Sequence, residues 1–138
     1  MLRHHLLAAL CAASTAACAS AQEDALADRL VGGWRFAKVC QYERGGTGPP
    51  CSPITSMAEW LRFEVDGTAR ETGPRGATGR YRIERREIPG GGTETLLSIG
   101  GRNMGQLGFV GDTLVLGMAY VDGPDRYFVR LPEMEPGP

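Results

Sequence analysis

Apolar and polar residues alternate with a period near two along most of the chain beyond residue 33. This alternation is typical of strands that bury one face, and runs of Gly, Pro and Asp separate the alternating segments. The pair Asp66-Gly67 predicts a tight hairpin, with Leu61, Phe63 and Val65 on the inward face of the strand before it. The pattern predicts eight strands, over 34–39, 60–65, 68–72, 80–85, 94–99, 104–110, 113–118 and 126–131.

The spacing differs before the first strand. Leu26 and Leu30 lie four residues apart, which predicts a helix of about two turns over 23–30. Residues 1–21 have a short basic start, an apolar run and the ending Ala19-Ser20-Ala21. These features are typical of a cleaved secretory signal, and the apolar run is too short to span a bilayer. We therefore predict a signal peptide over 1–21, one domain over 22–131 and an unpaired tail over 132–138.

A second processing pattern overlaps the first. Thr15-Ala16-Ala17-Cys18 ends in the small-small-Cys order of a bacterial lipobox, which would place a lipid on Cys18. The alternative is an unmodified cysteine inside a cleaved signal. The exported chain is predicted to be periplasmic or secreted, with membrane attachment only if Cys18 is lipidated.

Removal of the signal changes the composition. Two cysteines remain, Cys40 and Cys51, and an even number in an oxidising compartment predicts a disulfide between them. The mature part carries fourteen basic and sixteen acidic residues, so its formal charge is −2. A formal charge this close to zero gives no electrostatic indication of nucleic-acid binding. The arginines between residues 70 and 86 are interspersed with glutamates, which predicts a solvated, ion-paired exterior.

The residues available for catalysis are few. Both histidines, His4 and His5, lie in the predicted signal, so the mature chain has no Ser-His or Cys-His pair and no imidazole metal ligand. Glu64 and Asp66 are predicted on a solvated strand face. The segment 100–105 is rich in glycine but lacks a following Lys-Ser or Lys-Thr, which favours a hairpin turn over a phosphate loop. We expect no enzyme, no metal and no cofactor.

Eight short strands with mostly short connections predict an all-β, up-and-down antiparallel barrel behind the short N-terminal helical turn. A two-sheet sandwich is the alternative, but sandwiches usually need a long crossing connection. At eight strands, a barrel interior is either filled by side chains or holds one small ligand.

The start of the first strand, Gly32-Gly33-Trp34, follows the predicted helical turn. Together with segments 63–68, 79–83, 112–116 and 127–130, it resembles small bacterial lipocalin-like domains of the calycin type. The resemblance implies that Gly32 lets the chain pass close beneath the barrel and that Trp34 plugs the closed end. It also implies that Arg130, in the last strand, packs across Trp34 in a cation–π contact.

Two functions follow as expectations. The first is binding of a small apolar or amphipathic ligand inside the barrel. The second is a protein-interaction module, such as an inhibitor of a secreted hydrolase or an envelope-assembly accessory, acting through the disulfide-pinned loop between Cys40 and Cys51. The residues predicted to contact an internal ligand are Phe36, Leu61, Phe63, Tyr81, Ile83, Leu114 and Leu116, with Tyr42 and Trp60 at the mouth.

Overall fold

The computed structural model describes residues 4–41, 50–55, 59–73, 76–117 and 123–133, with side chains described from Ala17 onward. The chain divides into two compact units, with the boundary between Leu30 and Val31. The first unit contains a single helix and the second contains the strands.

Helix α1 runs over His4–Leu30 and includes the predicted helical segment 23–30 at its C-terminal end. Arg29 lies in its last turn, where a positive charge interacts favourably with the helix dipole. In the part of the chain that is described, no helix is long and apolar enough to cross a membrane. The predicted cleavage after residue 21 and the three-part division of the chain stay predictions.

Nine strands follow the helix within the described residues. They are β1 (Gly32–Cys40), β2 (Cys51–Pro53), β3 (Trp60–Phe63), β4 (Thr68–Glu71), β5 (Thr78–Glu87), β6 (Thr93–Ile99), β7 (Arg102–Val110), β8 (Thr113–Gly117) and β9 (Asp125–Arg130).

All ladders are antiparallel, and each of β3 to β8 pairs with the next strand in sequence. β1 pairs with β3 on one side and with β9 on the other, which closes the sheet. The result is the predicted closed, eight-stranded, up-and-down barrel, built from β1 and β3–β9. Because the sheet is closed, each of these strands is paired on both sides over at least part of its length.

β2 is the strand that the pattern did not predict. It pairs with the end of β1, where Cys40 lies directly opposite Cys51, and the predicted disulfide joins the two residues. Arg35 and Lys38 of β1 are three residues apart, whereas their partners Trp60 and Pro53 are seven apart. The segment that joins β2 to β3 is therefore four residues longer than the matching stretch of β1.

The hairpin between β3 and β4 is wider than predicted. β3 ends at Phe63, and a four-residue turn follows in which the Gly67 amide donates to the carbonyl oxygen of Glu64 (3.1 Å). Gly67 has a φ of +84°, a conformation that glycine adopts without strain. Val65 is 88% exposed at the tip, so the prediction that it faces inward is wrong. Turn geometry displaced it from the strand.

Asp66 caps this turn. Its Oδ1 accepts hydrogen bonds from the hydroxyl (2.6 Å) and the amide (2.9 Å) of Thr68. These two bonds, with a smaller contribution from the nearby charge of Arg80, hold the pKa of Asp66 below its ordinary value. The turn is therefore stabilised by the ionised carboxylate.

The two ends of the barrel differ. β1 begins at the Trp34 end, where β3–β4, β5–β6 and β7–β8 also turn. β1 finishes at the disulfide end, which it shares with the starts of β5, β7 and β9.

Between these ends the inward face is apolar and packed. The side chains of Trp34, Leu61, Phe63, Leu97, Ile99, Leu114 and Leu116 keep 1% or less of their accessible surface. A side chain lining a water-sized void would keep more, so these residues fill the middle of the barrel.

Candidate functional site

The Trp34 end is sealed by the contact that the resemblance implied. The guanidinium of Arg130 lies 4.2 Å from the centroid of the Trp34 ring, and its Nη1 donates to the carbonyl oxygen of Val31 at 2.8 Å. Gly32 has a φ of +118°, and a Cβ there would lie 2.9 Å from the same Nη1. Phe109 packs on the ring of Trp34 with centroids 5.9 Å apart. No side chain other than hydrogen fits at residue 32 without displacing Arg130.

Most of the residues predicted to contact a ligand lie in the packed core. Leu61, Phe63, Leu114 and Leu116 are fully buried, and Phe36 is 8% exposed. Their role as ligand contacts stays a prediction.

The remaining predicted ligand residues differ in position. Tyr81 and Ile83, on β5, are half-buried, and the Tyr81 ring meets Phe63 edge to face with centroids 5.3 Å apart. Tyr42 lies outside the described residues. Trp60 lies on the outer face of β3, because it alternates with buried Leu61, and its role at the mouth stays a prediction.

A charged pair lies inside the disulfide end of the barrel. Glu71 shares the inward face of β4 with buried Ala69, and Arg126 shares that of β9 with buried Phe128. Arg126 Nη1 lies 3.1 Å from Glu71 Oε1. β1 and β3 separate the two strands in the wall, so the pair spans the lumen.

Both members of the pair have further partners. Arg126 Nη2 donates to the carbonyl oxygen of Met104 at 3.2 Å, and its guanidinium lies 5.6 Å from the ring centroid of Phe128. Glu71 Oε2 accepts from the amide of Ala77 at 3.4 Å. Each charge would therefore keep a hydrogen bond if the other were taken away.

Burial makes this arrangement costly. The side chain of Glu71 is 13% exposed and that of Arg126 is 25% exposed. Removing charges from water opposes the attraction between them, and apolar replacements for such pairs are often as stable. A pair of this kind is therefore expected to contribute little net stability.

No protein-family model, curated protein or solved structure matches this chain. The closed eight-stranded antiparallel barrel is consistent with a calycin-like fold. Within the described part of the chain, no three His, Cys, Asp or Glu side chains lie together as metal ligands would.

The charged pair was not predicted from the sequence. Its two members are 55 residues apart, and only barrel closure brings β4 and β9 to the same lumen. A signal was present, since Ala69 and Glu71 share one alternation phase, as do Arg126 and Phe128. A charged residue in the inward phase of a strand is the mark that would have identified both.

Proposed function

We propose that this chain is a non-enzymatic, exported, lipocalin-like protein that binds a small amphipathic anion at the disulfide end of its barrel. The ion pair between Glu71 and Arg126 carries the proposal, because a partly buried charged pair next to the packed apolar core is poorly explained by stability. The head group of the ligand would bind Arg126.

An anion suits this site better than a cation. Arg126 is the more exposed member, and the Met104 carbonyl oxygen holds its guanidinium in place. A carboxylate or similar group could take the position of the Glu71 carboxylate through two parallel N–H···O bonds.

The apolar part of the ligand is expected to be short. Phe128 and Met104 contact Arg126 and border the head-group position. Deeper in the barrel, Leu114 and Phe63 are already fully packed. A long chain would have to displace this core, whereas a short one needs only the layer next to the ion pair.

Export is supported by the disulfide, which is typical of oxidising compartments, and by the signal-like residues 1–21. Cys18 is exposed and forms no disulfide. Its lipidation, and with it membrane anchoring, stays a prediction that palmitate labelling of the protein expressed in a bacterial host would test.

A head-group series tests the binding proposal. Titration calorimetry in low-salt buffer would compare hexanoate, hexanol and hexyltrimethylammonium, whose apolar chains are short. We expect hexanoate to bind best, and Glu71→Gln to tighten its Kd by about tenfold, because the competing carboxylate is gone. Glu84→Gln, which removes an exposed charge from β5, is the matched control and should leave the Kd unchanged.

Two results would overturn the proposal. One is equal affinity for all three head groups, which would indicate nonspecific apolar binding. The other is a Glu71→Gln effect no larger than that of Glu84→Gln. The alternative function, an interaction module acting through the loop between Cys40 and Cys51, concerns residues 42–49, which lie outside the described residues.

A further inference from the structure

The outer face of the barrel carries a patch that the proposed ligand site does not use. We define the Trp60 patch as Arg35, Trp60, Arg62 and Arg70. Trp60 lies directly opposite Arg35 of β1, and Arg62 lies directly opposite Arg70 of β4. Trp60 is half-buried, and the Arg70 guanidinium lies 5.4 Å from the ring centroid. Three cations therefore surround one aromatic side chain.

Acidic neighbours offset little of this charge. Arg62 Nε forms an ion pair with Glu64 Oε1 at 2.6 Å. Arg70 has no carboxylate partner among the described residues, and Arg35 forms neither an ion pair nor a hydrogen bond through its side chain with any of them. The sequence pattern predicted a neutralised, ion-paired exterior. At this patch the positive charge is in excess.

The patch is also unfavourable to the fold. Like charges directly opposite each other on neighbouring strands destabilise a sheet, and Arg62 and Arg70 are such a pair. The proximity of these two positive charges would cost less if an anionic group lay between them. The planar guanidinium group of each arginine matches the geometry of a carboxylate.

We propose that the Trp60 patch binds an acidic segment of a partner protein. Tryptophan and arginine are the residues most enriched where protein interfaces gain their binding energy, which favours a protein over other anions. The chain as a whole is slightly acidic, so this patch is a local departure from its charge. The proposal is independent of the ligand site, which lies on the opposite face of the wall.

Poly-L-glutamate is the probe for the first experiment. The chain has two tryptophans, and their indole N–H groups give two separate signals in an amide correlation spectrum. We expect a saturable shift of the Trp60 indole signal at about 20 mM salt, weakening as salt rises. The Trp34 indole, beneath Arg130, should not move. A shift of Trp34 alone, or no binding at low salt, would overturn the proposal.

Two double variants distinguish specific binding at the Trp60 patch from nonspecific attraction of poly-L-glutamate to any positive charge. Arg62→Gln with Arg70→Gln should weaken poly-L-glutamate binding at least tenfold. The control, Arg85→Gln with Arg102→Gln, removes the same charge from exposed positions elsewhere and should change binding less than twofold. Equal weakening in both would contradict the proposal. So would phosphatidylglycerol vesicles that shift the Trp60 signal where poly-L-glutamate does not, since the partner would then be a lipid surface.

The Arg62 and Arg70 variants also permit a test within the fold. Arg70→Gln relieves the like-charge pair with Arg62 but also removes the cation–π contact with Trp60, so it should unfold close to the temperature of the natural chain. A clear loss of thermal stability would show that these arginines are retained for structure, and would contradict the proposal.

Discussion

At the scale of single residues, the Trp34 end shows how closely backbone and side chain constrain each other. Gly32 accepts a backbone conformation that side chains disfavour, and its lack of a Cβ leaves room for Arg130. Arg130 then covers Trp34 and bonds the carbonyl of Val31. One glycine thus permits the contact that closes this end of the barrel.

Gly32→Ala is expected to lower the free energy of unfolding by about 1–3 kcal/mol, because the added Cβ combines backbone strain with a clash against Arg130. Gly108→Ala is the matched control, since Gly108 has an ordinary φ and open space around it. It should change stability by no more than about 0.5 kcal/mol. Urea unfolding of both variants measures the difference, and equal effects would refute the role given to Gly32.

Acid sensitivity of the β3–β4 hairpin belongs to the same scale. The pKa of Asp66 is lowered in the fold, chiefly by the hydroxyl and then the amide of Thr68. Its contribution is therefore present above the carboxyl's unfolded pKa and is lost as pH falls through the lower folded pKa, below about pH 4.

Asp66→Asn should flatten the acid limb of the stability curve, and Thr68→Val should do so in part while Thr68→Ser does not. Thermal unfolding between pH 2 and pH 6 would show this. An unchanged acid limb in Asp66→Asn would contradict the capping role of the carboxylate.

At the scale of elements, alternation predicted the strands well because each buries one face. It failed where length or turn geometry mattered more. β2 has three exposed residues and ends in Pro53, so it has no apolar phase to detect. Val65 follows the alternation of β3, but the four-residue turn removes it from the strand. Trp60 has the outward phase of β3, opposite to that of Leu61.

The Glu71–Arg126 pair joins two elements that are distant in sequence, and a double-mutant cycle can isolate it. Arg126→Gln should cost about 2 kcal/mol, because it leaves Glu71 largely buried without its cation. The double variant Glu71→Gln, Arg126→Gln should recover most of that loss. Urea unfolding of the four proteins tests this, and a double variant as unstable as the sum of the singles would show that the side chains act independently.

At the scale of the whole molecule, eight alternating segments with short connections were enough to predict a closed barrel. The interior was harder to predict, because an inward apolar residue such as Leu114 serves equally well in a solid core or a cavity wall. The charged pair depends on closure and on strand register, neither of which one strand's pattern contains. The Glu71–Arg126 pair at the disulfide end could therefore be identified only from the three-dimensional structure.

The most direct test of the ligand site observes Arg126 itself. Its Nε–H signal, assigned through its absence in Arg126→Gln, can be followed by ¹H–¹⁵N NMR during titration with hexanoate. We expect a saturable shift of this signal with the same Kd as calorimetry, while the Nε–H signal of exposed Arg82 stays in place. Hexanoate binding that leaves the Arg126 signal unmoved, or no binding at all, would contradict the proposed ligand site.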